Sequence, residues 1–187
     1  MNPAHDPDPG HDANAGQGAI HFLLATTRDR QGRYREALDH SQQALELYRA
    51  AGHQVGQARA LNAVGWLCSL LGDHQQALDP CQQALALYRD LGDQMGEAGT
   101  LDSLGHAHQH IGCHRQAIEC YRQALDLFRT IGHRYKEPVT LARLGDTHHA
   151  AGDHDAARDA WEQAQAIFED LQHPDAEQIR HKLKALA

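Results

Sequence analysis

Long apolar runs, clusters of basic residues and catalytic signatures are all missing from this chain of 187 residues, and each absence removes a class of function. No stretch approaches the roughly eighteen consecutive apolar residues that a membrane span needs. The opening segment, MNPAHDPDPGHDANAGQG, has neither the positive start nor the apolar centre of a secretory signal, so a cytoplasmic protein is expected. Lysine and arginine together number 17 against 25 acids, for a net charge of −8. Such a chain lacks the positive field that would neutralise phosphates, so no direct contact with nucleic acid is expected. A basic peptide or protein surface is the better electrostatic match. There are only four cysteines, Cys68, Cys81, Cys113 and Cys120. They read as reduced, small apolar residues and not as a disulfide framework. No Gly-rich phosphate loop, nucleophile elbow or paired-cysteine zinc motif occurs, so the chain is not expected to be an enzyme or to carry a cofactor. Cys113 beside His114 is no exception, because sequence neighbours on a helix point about 100° apart.

What the chain does have is a repeat. Gly32, Gly72, Gly112 and Gly152 recur every forty residues, and similar text surrounds each, as in GDHQQALDPCQQALALYRDLGD and GCHRQAIECYRQALDLFRTIGH. A period between about twenty and fifty residues marks a stacked array, whose units bury their apolar faces only against the next copy. Each copy offers two stretches of helical period, for instance Leu61, Val64, Gly65 and Cys68, then Ala77, Leu78, Cys81, Ala84, Leu85 and Tyr88. The glycines sit just past the last periodic residue, as a helix C-terminus requires, and a second set, Gly52, Gly92 and Gly132, closes the other helix of each pair. Pro138 and Pro174 stand where helices should begin. Pro80 falls inside one and predicts a kink. The expected organisation is a tail or linker over 1–16, repeats near 17–53, 54–93, 94–133 and 134–173, and a capping helix over 175–186. The fold class is all-α.

These residues resemble the tetratricopeptide repeat. With Gly65, Gly105 and Gly145 at the family's small eighth position, Leu61, Leu101 and Leu141 fall at the fourth, Val64, Leu104 and Leu144 at the seventh, Ala77, Ala117 and Ala157 at the twentieth, and Ala84, Ala124 and Ala164 at the twenty-seventh. The first copy keeps only its second helix, through Ala37 and Ala44. The resemblance implies a right-handed α-solenoid of four helix-turn-helix repeats plus the capping helix. Repeats this long look like those of kinesin light chain and of bacterial signalling and transcription regulators, which are protein binders. The six residues beyond the family's usual length place Leu91, Ile131 and Leu171 against Val55, Met95 and Tyr135.

The resemblance also implies a concave wall built by the first helix of each pair. Carried onto this chain, that wall includes Phe22 and Thr26, then Arg59, Asn62, Trp66 and Leu70, then Asp102, His106, Gln109, His110, Asp146 and His149. Trp66 offers a large apolar face with one donor, the combination that dominates interface energetics. On the same helix face, Arg59 suits a carboxylate and Asn62 a peptide amide. The leading expectation is a scaffold that binds a protein or peptide.

Sixteen histidines suggest a second reading. Five of them, His74, His114, His154, His53 and His133, are copies of two turn positions, and His108 and His148 should pack between helices. His106 and His110, however, have the i, i+4 spacing of metal ligands, and Asp146 and His149 belong to the same wall. A metal sensor or metalloenzyme using those four residues is therefore the alternative. A module that self-associates through its end helices is the third reading.

Overall fold

A computed structural model describes residues 9–186, and among them every regular element is an α-helix. The chain divides into two compact units, Met1–Gly92 and Asp93–Ala187. The first contains α1 (Pro9–Arg30), α2 (Tyr34–Ala50), α3 (Gln54–Leu70) and α4 (His74–Leu91). The second contains α5 (Gln94–His110), α6 (His114–Thr130), α7 (Lys136–Ala150), α8 (His154–Asp170) and α9 (Asp175–Ala185). Within each unit, helices consecutive in sequence pack on one another, so the helix pairs match the repeats read from the sequence. No described helix is long and apolar enough to cross a membrane.

The punctuation works as the glycine spacing implies. Gly32, Gly52, Gly72, Gly92, Gly112, Gly132 and Gly152 all have positive φ. In most of these turns the residue after the glycine sends its N–H back to a carbonyl five residues earlier, as His53 does to Tyr48 at 2.9 Å and Asp153 to His148 at 2.9 Å. This bond closes a helix end that would otherwise leave carbonyls unpaired. The same turn after α8 has Gln172 in place of glycine, at φ 52°, and His173 still bonds to Phe168 at 2.8 Å. A side chain in this region is held against its own preference. Gln172→Gly is therefore expected to raise the stability of the second unit by about 1 kcal/mol, read as an upward shift of its urea midpoint.

The small eighth positions have a steric cause. A Cβ on Gly105 would lie 2.6 Å from the ring of Tyr121, and one on Gly145 or Gly65 would collide with Trp161 or with Cys81. These glycines let the two helices of a pair approach closely, so that Tyr121 and Trp161 pack on the backbone of the preceding helix and, at Gly65, the Cys81 thiol and the backbone of α4 do so. Tyr121 is completely buried there, its hydroxyl donating to Gln109 at 3.0 Å, and burial pushes its ionisation well above the usual phenol range. Cores form accordingly: Leu45, Tyr48, Leu61 and Tyr88 in the first unit, and Tyr121, Leu141, Trp161, Phe168 and Ile179 in the second.

Two expectations need correcting. The tail read over 1–16 is helical from Pro9, because α1 extends back through a polar segment whose Asp12 lies in its first turn and complements the helix dipole; residues 1–8 lie outside the described residues. Val55, Met95 and Tyr135 are 41%, 45% and 68% exposed, so they do not fill the added turn of each repeat; they stand at helix starts and face solvent.

Candidate functional site

The wall residues of the first unit lie along α3. Arg59 is exposed, while Asn62, Trp66 and Leu70 are half-buried, one helical turn or so apart on one face. The Oδ1 of Asn62 is buried and has no hydrogen-bond partner. An unmet buried acceptor is uncommon in a folded protein and calls for a physical reason. Phe22, by contrast, is packed against the core of its unit, so it is not an open wall residue.

In the second unit the wall looks different from the expectation. Asp102 on α5 is buried, accepts a hydrogen bond from Thr140 Oγ1 at 3.0 Å and is ion-paired to Arg143, both on α7. Asp146 on α7 receives Lys182 Nζ of α9 at 2.5 and 2.8 Å, and also Trp161 Nε1 of α8 at 3.1 Å. The two carboxylates meant for a basic partner thus already have cations of this chain. The physical reason is burial: an ionised carboxylate sunk between helices must find a partner within the fold. Any preference for a basic partner then rests on the net charge of −8 alone.

The four residues of the metal reading do not form one ligand set among the described residues. No three of His106, His110, Asp146 and His149 bring ligand atoms together. His106 and His110 lie ring to ring, centroids 4.2 Å apart, with His110 Nδ1 2.9 Å from the carbonyl of His106. His149 lies against the rings of Trp161 and His154, and Asp146 is held by Lys182 and Trp161. A spacing of i, i+4 places His106 and His110 side by side, but Asp146 and His149 are engaged with Lys182, Trp161 and His154 and do not join them.

Sequence reasoning overlooked Arg143 and Lys182. The available signal was an acid on one first helix and a base about one repeat later, Asp102 with Arg143 and Asp146 with Lys182. Lys182 shows how α9 is fixed: its ammonium reaches back to α7 and lies 5.8 Å from the centre of the Trp161 ring.

Residues 17–90 and 97–170 match the model of the tetratricopeptide repeat family. Among solved structures, the chain is similar to a Rap protein complexed with competence and sporulation factor, with 18% identity over 91% of this chain and 48% of that one at a TM-score of 0.80. It is also similar to a putative kinesin light chain with nearly identical repeats from Podosopora anserina, with 17% identity over 90% and 84% of the chains at 0.72. A third is BtubC from P. vanneervenii, with 22% identity over 84% and 66% at 0.74. The chain spans about half the length of the Rap structure it matches. No curated protein matches it by sequence.

Proposed function

We propose that this chain, which belongs to the tetratricopeptide repeat family, is a scaffold that holds a peptide or an extended protein segment on the exposed face of its first-of-pair helices. The observation that carries the reading is on α3, where half-buried Trp66 stands one turn from the unpaired amide oxygen of Asn62. A bound segment would bring what Asn62 lacks, a backbone N–H for the carboxamide, and the large amphipathic ring of Trp66 suits an apolar side chain of that segment. Exposed Arg59, one turn further back, suits a carboxylate. His106, His110, Asp146 and His149 are assigned to the corresponding face of the second unit, beneath which Asp102 is buried. With Asp102 and Asp146 already ion-paired, that face recognises its partner through the imidazoles and through shape, not through open carboxylates. The likeness to a Rap protein solved in complex with competence and sporulation factor supports a binding role, and a place within a bacterial signalling or transcription regulator is the setting we infer.

The test is a peptide selection on the whole chain followed by calorimetry. Trp66→Ala should weaken the selected peptides by about 2 kcal/mol or more, some thirtyfold, with helix content unchanged in circular dichroism. Peptides that bind the variant as tightly as the parent, or a selection that recovers none, would remove α3 as the gripping face.

A further inference from the structure

The second unit contains a cavity of about 860 Å³ where the last turns of α5 and α7 meet the first half of α6. None of the residues assigned to partner binding lines it. Its volume lies within the range of small-molecule sites, roughly 300–1,000 Å³.

The wall is basic in an acidic chain. Arg115 and Arg122 line it together with His108, His114 and His148, against the one carboxylate of Glu119. Neither guanidinium has a hydrogen bond or an ion pair with an acid among the described residues. The Nδ1 atoms of all three imidazoles are buried without a hydrogen-bond partner, and His148 as a whole is only 5% exposed. Asp153 Oδ2 lies 3.4 Å from Nδ1 of His148, a charge contact longer than a good hydrogen bond. Burial holds His108 and His148 below the ordinary imidazole range, so both are neutral at pH 7. A buried N–H without an acceptor is rarer than a buried lone pair without a donor, which assigns the proton of His108 and His114 to Nε2. All three histidines line the cavity with Nδ1 buried, which leaves Nε2 as the ring nitrogen available to a ligand.

We infer that this cavity binds a small oxyanion-bearing molecule, an organic phosphate or a polycarboxylate, through the Arg115 and Arg122 guanidinium groups and the imidazole N–H groups of His108 and His114. Both arginines present planar forks suited to such oxygens. The anionic end belongs near Arg115, because the adjoining cavity of about 350 Å³, which shares Arg122 and His148, is lined by Asp126 and Asp159. Its Leu125, Leu141 and Leu144 instead suit an apolar remainder of the ligand.

The experiment is calorimetric titration of the full chain with inorganic pyrophosphate and, separately, with citrate, alongside imidazole resonances in NMR spectra. The expected result is one-site binding of at least one probe, with the His108 and His114 signals shifting. Pyrophosphate alone assigns the phosphate class and citrate alone the carboxylate class. Arg115→Gln with Arg122→Gln, both at exposed positions, should weaken that binding by about tenfold or more. Trp66→Ala should leave it unchanged, which separates this site from the peptide face. Binding of neither probe tighter than about 1 mM, or binding indifferent to the double variant, would overturn the inference.

Discussion

Trp161→Ala should lower the stability of the second unit by about 3–5 kcal/mol, the range for truncating a large buried aromatic. The side chain is 3% exposed and lies flat on α7 at Gly145, where even one added carbon would collide with it. The close approach of α7 and α8 is set by that glycine, so truncation leaves a cavity in the cluster formed with Leu141, Leu144 and Ile179. Two acceptors would each lose one donor at the same time, the Ala142 carbonyl at 3.2 Å and Asp146 at 3.1 Å. The effect should spread to α9, whose Lys182 holds the same Asp146 and sits over the same ring. Urea unfolding followed by circular dichroism measures it. Trp161→Phe, which keeps most of the volume and loses only the N–H, should recover more than half of the loss. A loss below about 1 kcal/mol for the alanine variant would mean that the α7–α8 pair is not held by this contact.

How much of this could be read in advance follows from what a period encodes. A forty-residue repeat with glycines at fixed places dictates helix ends and close approaches, and so Gly105, Gly145 and the turns were legible. It also tells on which side of its helix a residue points. It does not tell what the next helix offers that residue. Asp102 and Asp146 were assigned to an open wall on their repeat positions, and both are claimed by cations of a neighbouring helix. For Val55, Met95 and Tyr135 the period gave a place in the added turn but not the depth of that turn, and they lie outside the packing. In the segment before Gln17, low apolar content argued for a tail, yet a helix with an acid in its first turn can extend from a packed helix without burying much itself.

The second large effect concerns charge. Asp102→Ala is expected to cost about 3 kcal/mol or more, because it leaves the Arg143 cation without its carboxylate and the buried Thr140 hydroxyl without its acceptor. Both groups lost most of their water when α5 packed on α7: Thr140 is fully buried and the Arg143 side chain is only 24% exposed. The net value of the pair is a different quantity. Replacing both charges by apolar groups of similar size, Asp102→Leu with Arg143→Met, removes the attraction and the desolvation together, and should cost far less than Asp102→Ala alone. A double-mutant cycle in urea distinguishes the two cases. Strong coupling, with the double variant within about 1 kcal/mol of the parent, is the expected outcome. If the single and double variants are equally unstable, the cost comes from Thr140 and from packing, and the ion pair between α5 and α7 contributes nothing.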